Sequence, residues 1–330
     1  MEQRTIAVEG GEIAISEYQT SATGGFVWEA AFVLLRYIER NGVPVAALPR
    51  STSEELDANE SISSATTGTL IVKPHSIVPL RILDFSGGTG MLGIAAAHLF
   101  PKAMVTVSEF GLPALELIQH NAQQSGISPS RCRTVEYGWG VTKTHEFLAR
   151  TSDTAAADST GSGHLQDGKD QPIADTASSD KQISAPSARC GFDVILCSDC
   201  LFITVRDGYE KEFVTSLVEL CSDNTIVLTA HKMRLWEQEG LVVELLERFF
   251  DVHRIKVGPD LMLDFFGGES SDSMLGMFEE APEIYFCEMR LRAGNAAQRL
   301  KHIDEMWDEI CSPQSEQSST ADASSPNNDK

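Results

Sequence analysis

One stretch constrains this chain more than any other: Arg81-Ile-Leu-Asp-Phe-Ser-Gly-Gly-Thr-Gly-Met-Leu-Gly-Ile-Ala-Ala-Ala-His-Leu99. A short apolar run ends in the carboxylate Asp84 and turns through Ser86, Gly87, Gly88 and Gly90. From Met91 onward, Leu92, Ala95, Ala96 and Leu99 share one side of a helix. Strand, glycine-rich turn and helix form the nucleotide-binding corner of α/β domains. Small residues let a ligand approach the backbone, and the helix N-terminus presents unpaired N–H groups. Glycine-rich turns are common, so the assignment depends on what accompanies this one.

The rest of the chain supplies a matching frame. Thr5–Tyr18 alternates loosely about Gly10-Gly11, which predicts an N-terminal hairpin. Phe26–Arg40 has the spacing of an amphipathic helix, and residues 49–69 read as a polar surface insertion. Further strands are expected at Ala103–Val107, Arg133–Tyr137, Phe192–Cys197 and Thr225–Ala230, with helices near 113–125, 209–221 and 235–249. Val252–Val257 and Glu283–Arg290 read as a closing antiparallel pair. Seven strands, five of them alternating with helices, predict a doubly wound, Rossmann-like α/β sheet whose last strand is antiparallel. Residues 151–188 lack aromatics and are rich in Ser, Thr, Ala, Asp and Gly, so they read as a disordered insertion. The expected organisation is a hairpin extension over 1–23, a main domain over 24–292, and an acidic C-terminal helix with a disordered tail over 293–330.

Bulk properties narrow the function classes. A chain of 330 residues, 42% hydrophobic, can bury a large core. Its 26 basic and 48 acidic residues give a net charge of −22, which argues against binding nucleic acid through phosphate neutralisation. The same charge suits a basic partner surface or simple solubility. Seven scattered cysteines, no signal-like N-terminus and no apolar run of bilayer length predict a reduced intracellular compartment. We expect the cytoplasm, with the nucleus as the alternative, no membrane association and a monomer.

Chemistry-bearing residues fall at the predicted strand ends. Glu109 ends the second strand of the α/β series, about 25 residues past Asp84, where a carboxylate can accept hydrogen bonds from both ribose hydroxyls. The same carboxylate would also suit a helix N-terminus. Trp139 ends the third strand, placed either to cover an adenine face or to fill core. Asp199 ends the fourth. A carboxylate so close to the turn favours a ligand with a cationic amino-acid part over a pyrophosphate, and S-adenosylmethionine carries a sulfonium, an ammonium and a ribose. No Gly-Lys-Ser/Thr follows the turn, so a Walker loop is excluded. Cys197-Ser-Asp-Cys200 has CxxC spacing but no further ligands nearby, and reads as two buried thiols; no metal is expected. His231 reads as a packed or solvated histidine, with the substrate channel as its alternative setting.

In this order the motifs resemble the seven-β-strand methyltransferases, and among them the family-16 protein-lysine methyltransferases. The matching residues are Phe26-Val-Trp28-Glu-Ala-Ala, Leu83-Asp84-Phe-Ser-Gly-Gly-Thr-Gly90, Val105-Thr-Val-Ser-Glu109, Tyr137-Gly-Trp-Gly140 and Phe192-Asp-Val-Ile-Leu-Cys-Ser-Asp199-Cys-Leu-Phe202. Val227–Arg234 and Leu245–Val252 resemble the branch acting on chaperones and elongation factors. The resemblance implies S-adenosylmethionine as cofactor and a lysine of a protein, such as a chaperone or translation factor, as acceptor. It implies that Trp28 borders the cofactor, that the backbone of Ser86, Gly87 and Gly88 holds its methionyl part beside Asp84, whose spacing reads as a cofactor contact, that Glu109 holds the ribose and Trp139 the adenine, and that Ser198 lies beside the adenosine. Asp199 and Phe202 fill the family's Asp-x-x-Tyr/Phe motif, which positions the substrate lysine. Two positions depart from the pattern: Ser86 stands for the usual Gly and Asp84 for the usual Glu. The serine would either crowd the methionyl carboxylate or donate a hydrogen bond to it, and weaker but real cofactor binding is expected. A small-molecule methyltransferase and a non-catalytic cofactor-binding module remain the alternatives.

Overall fold

The computed structural model describes residues 1–18, 23–46, 62–66, 69–152, 191–258, 261, 284–293 and 296–311. Met1–Ala293 forms one compact unit and Gly294 begins a second. In the first unit, strands β1 (Glu2–Val8) and β2 (Gly11–Glu17) pair antiparallel, followed by helix α1 (Glu29–Asn41). A small antiparallel sheet comprises β3 (Val43–Ala46), β4 (Ile62–Thr66) and β5 (Thr69–Val72). The end of the expected 49–69 insertion is therefore a strand. Its Ser and Thr content hid that, because β4 draws its order from pairing with β5 rather than from apolar patterning. Residues 47–61 lie outside those described, as do 153–188 of the insertion expected to be disordered and the tail from 312; the insertion's first two residues, Thr151 and Ser152, are helical.

The main sheet then builds in alternation: β6 (Arg81–Phe85), α2 (Met91–Leu99), β7 (Met104–Glu109), α3 (Leu112–Gln124), β8 (Cys132–Glu136), α4 (Val141–Ser152) and β9 (Val194–Ser198). It continues through α5 (Cys200–Asp207), α6 (Glu210–Leu220), β10 (Ile226–Lys232), α7 (Trp236–Phe249), β11 (Phe250–Arg254) and β12 (Ile284–Leu291). The strand order is β11-β12-β10-β9-β6-β7-β8. β6 to β10 are mutually parallel where they pair, and β12 runs antiparallel between β10 and β11. This is the doubly wound seven-strand arrangement that the sequence predicts. Helices α4 and α5 were not among the predicted elements. α4 begins directly after the Gly138-Trp139-Gly140 turn, in a stretch given no assignment, and α5 begins directly after Asp199, overlapping the segment read as motif. In the second unit, α8 spans Ala296–Cys311.

Burial explains the layering. The strands β6 and β9 are almost wholly buried, as apolar runs covered on both faces must be. Helices α1, α2 and α3 pack along one face, and α4, α6 and α7 along the other. Ile6, Val8, Ile13 and Ile15 of the hairpin join the same core as α1 and α2. Asn121 of α3 fastens the hairpin to the glycine turn. Its Nδ2 donates to Ser16 O at 3.1 Å and to Thr89 O at 2.9 Å, while its Oδ1 accepts from Ser16 N at 2.8 Å.

Close contact between α2 and the sheet depends on Gly93. A Cβ there would lie 2.5 Å from Val107 Cγ2 and 3.0 Å from Asp84 Cβ, and both neighbours are buried. Gly93→Ala is therefore expected to push α2 off β6 and β7 and lower stability by about 1–3 kcal/mol, despite alanine's better helix propensity. Urea unfolding checks this; an unchanged midpoint would mean that the helix shifts without cost.

Candidate active site

The parallel register brings Phe85, Ser108 and Cys197 to one level across β6, β7 and β9. One residue beyond that level stand Ser86, Glu109 and Ser198, and the strands end there. A cleft of about 270 Å³ opens over this edge. Trp28, Ser86, Gly88, Glu109, Trp139, Ser198 and Asp199 all line it. Asp84, Gly87 and Phe202 do not. Lining residues that the sequence reading did not name as ligands include Phe110, Tyr137, Lys143, Ile203 and Tyr209. Of these, Tyr137 lay in a quoted motif; the others sit on helices or turns whose facing depends on tertiary packing, for which a single sequence carries no signal.

The turn is held by side chains from its neighbours. Gly88, in left-handed backbone with φ of 56°, donates its N–H to Glu109 Oε2 at 2.8 Å. Glu109 Oε1 accepts from Phe110 N, also at 2.8 Å. Burial raises the Glu109 carboxyl while these two N–H donors work against the rise. Each oxygen retains a lone pair, because a carboxylate offers about four acceptor sites.

Ser86 also adopts left-handed backbone, with φ of 62°, which explains why glycine suits this position. Its hydroxyl has a definite role: Oγ accepts from Trp139 Nε1 at 3.1 Å. Trp139 stacks on Phe85 with centroids 5.8 Å apart and meets the edge of Phe213 at 5.2 Å. With Tyr209 edge-on at 6.3 Å as well, the indole is fixed at the cleft wall by one hydrogen bond and three ring contacts.

Asp84 lies beneath the turn, fully buried. Its Oδ2 accepts from Gly93 N at 2.7 Å, and Oδ1 has no hydrogen-bond partner among the described residues. Desolvation pushes its carboxyl from the usual 3.8 up to about 7, with the nearby Glu109 charge adding to the rise.

Asp199 opens α5 in left-handed backbone, with φ of 56°. Its Oδ1 accepts from Lys232 N at 3.0 Å and Arg234 Nη1 at 2.9 Å, and its Oδ2 from Arg234 Nη2 at 2.8 Å. The Arg234 guanidinium lies 5.0 Å from the Trp28 ring centroid and 5.3 Å from that of Phe202. Phe202 is therefore tied to Asp199 through Arg234. Cys197 and Cys200 are buried free thiols; Cys200 borders the cleft and donates to Ser198 O at 3.4 Å. His231 is buried, its Nδ1 accepting from Leu201 N at 3.5 Å and its Nε2 bonded to Thr229, so it belongs to the core. Among the described residues no cluster of His, Cys, Asp and Glu is arranged to hold a metal ion.

A Rossmann-like sheet with an antiparallel strand inserted beside its edge, and a cleft over its parallel strand ends, defines an α/β methyltransferase fold. A family model described as lysine methyltransferase matches residues 8–158 of this chain. The matched span contains Trp28, the glycine turn, Glu109 and Trp139, and stops before Asp199. A curated relative, the protein-lysine methyltransferase METTL21E of Mus musculus, is 21% identical over 262 residues, covering 78% of this chain and 75% of that protein. Among solved structures, a candidate SAM-dependent methyltransferase from Streptococcus mutans aligns with 11% identity and a TM-score of 0.45 over 88% of this chain, which spans 56% of that chain's length. The N-methyltransferase NodS from Bradyrhizobium japonicum, solved with S-adenosyl-L-homocysteine, aligns with 11% identity and a TM-score of 0.35, covering 65% of this chain and 79% of that one.

Asp84 leaves a measurable mark on stability. Its folded pKa is raised, so its contribution is complete below about pH 4 and is lost as pH rises through about 7. Asp84→Asn keeps a neutral side chain of the same shape. The variant is expected to flatten the decline of the urea midpoint between pH 4 and 7, a limb on the order of a few kcal/mol in the wild type. Parallel slopes in the two proteins would mean that Asp84 is ionised throughout.

Proposed function

We propose that this protein transfers a methyl group from S-adenosylmethionine to a lysine side chain of a protein substrate. The observation that carries the reading is the gathering of Ser86, Glu109, Trp139 and Asp199 from the ends of four consecutive strands, β6 to β9, into one cleft. The donor set fits the cofactor. Glu109 keeps lone pairs for ribose hydroxyls, Trp139 presents a fixed indole, and Gly24 and Gly88 meet as a cradle in which a Cβ on Gly88 would stand 3.3 Å from Gly24 O. When bound, the cofactor supplies a methyl group made electrophilic by its sulfonium.

The chain's own residues then serve the acceptor. Ser86 and Gly88 would meet the methionyl part, and Trp28 the edge nearest the acceptor. A lysine nitrogen attacks only through its lone pair, so it must arrive without its extra proton and in line with the breaking bond. Asp199 Oδ2 accepts only one bond from Arg234 and can take an N–H from the entering amine. Phe202 forms the adjoining wall. Ser86 anchors Trp139 through its hydroxyl, so its presence is compatible with a working pocket. Retention of the whole set argues against a decayed binding module. The acceptor would be a chaperone or translation factor met in the cytoplasm by a monomeric enzyme.

Calorimetry with S-adenosylmethionine tests the cofactor assignment: wild type binds, and Glu109→Ala weakens binding at least tenfold, about 1.4 kcal/mol. Asp199→Ala should keep that affinity within about threefold while transfer of tritium from labelled cofactor to lysate protein falls by about 100-fold or more. Absence of binding by the wild type would sink the reading. Label appearing only in small molecules would redirect it to another acceptor class.

A further inference from the structure

We propose that Arg234 is a positioning residue that neutralises Asp199 at the lysine entrance, so that the motif presents an oriented acceptor oxygen without fixing the incoming nitrogen as an ammonium ion. The inference rests on the function proposed above and deepens it.

Three observations meet at this guanidinium. It makes a two-pronged pair with Asp199 at 2.9 and 2.8 Å, with the Asp199 side chain only 4% exposed. It lies within 5.3 Å of both aromatic ring centroids at the entrance, Trp28 and Phe202. It is also 3.8 Å from Glu29 on α1. One side chain thereby joins the end of β10, the N-terminus of α5 and the N-terminus of α1, which between them contribute Asp199, Phe202 and Trp28.

The chemistry needs such a group. An unpaired carboxylate within about 4–6 Å of an amine favours the protonated form, often by one pKa unit or more. Lysine already holds its proton to about pH 10.4 in water. A bare Asp199 would therefore bind the acceptor in its unreactive form. Paired with Arg234, Asp199 keeps one acceptor direction on Oδ2 and loses most of that field. The remaining charges nearby are largely paired. Lys232 Nζ bonds Glu29 at 2.7 Å. Glu239 of α7 is buried and accepts the backbone N–H groups of Arg234 and Leu235. Arg206, 5.8 Å from the Phe202 ring, pairs with Asp207. Arg234 is the cation held directly on Asp199.

The test follows the pH dependence of methyl transfer with tritiated S-adenosylmethionine. The acceptor is the lysate protein that wild type labels, purified and supplied at saturating concentration, so that the rate refers to the enzyme–acceptor complex. Arg234→Gln is expected to move the inflection upward by about one pH unit, lowering the neutral-pH rate about tenfold and recovering toward wild type at high pH. Arg234→Lys should restore most of the wild-type profile. Glu29→Gln removes a negative charge from the same cluster and should move the inflection the other way, by a smaller amount, which keeps the test decisive if Arg234→Gln fails to fold. Cofactor affinity by calorimetry should stay within about threefold in all three variants. A rate lowered equally at every pH, with an unmoved inflection, would reduce Arg234 to a structural tie and overturn the proposal while leaving lysine methylation intact. An upward shift in Glu29→Gln would overturn it as well. If wild type labels no protein at all, the functional reading fails and this inference falls with it.

Discussion

The cleft exists because parallel strands stop together. Phe85 pairs with both Ser108 and Cys197, and within one residue of that level β6, β7 and β9 all end. Parallel strands need crossovers, and each crossover helix here starts just past that level. The result is a row of turns on one edge, with backbone N–H groups and short side chains facing the same space. Nothing in the site is reached without this alignment. Glu109 can bond Gly88 because β7 ends beside β6, and Trp139 can bond Ser86 because β8 ends one strand further out.

How much of this was legible in the sequence follows from the range of the interactions. Strands and helices in the main sheet announced themselves through local apolar runs, and Glu109, Trp139 and Asp199 through their places at strand ends. Asp84 was read as a cofactor contact from spacing, yet the structure puts it beneath the turn, holding the N-terminal part of α2 through Gly93 N. Spacing along a chain fixes the strand end and leaves open on which side of the pleat a side chain falls. Arg234 lay inside a quoted segment but carried no assigned role. Its partners are 35 residues away at Asp199 and more than 200 away at Glu29, and only the sheet brings them together.

Ser86 shows how a departure from a pattern is accommodated. Left-handed backbone costs a non-glycine residue roughly 1–2 kcal/mol. The surrounding structure fixes the turn regardless: Gly87 N donates to Ser108 O at 2.8 Å, and Ser86 N donates to Ser108 Oγ at 3.3 Å. The hydroxyl then accepts the indole N–H of Trp139, which glycine has no side chain to receive. A residue that reads as damage to the pocket thus fixes one of its walls. The geometry makes the side chain a support for a neighbouring ring.

The acidic balance of the chain and the pairing inside the cleft answer different physical demands. A net charge of −22 favours approach by a lysine-bearing, basic surface, and that attraction acts over distances of about a Debye length, 8–10 Å at physiological salt. The same negative charge at the reacting nitrogen would hold its proton and stop the reaction. The two demands are compatible only if charge is left uncompensated outside and matched within. On the proposed reading the lysine entrance meets both: Asp199 faces Arg234 and Glu29 faces Lys232, all four brought together by α1, the β9–α5 junction and the end of β10. Because a half-buried pair is screened far less than an exposed one, this local matching persists at salt concentrations that erase the outer field.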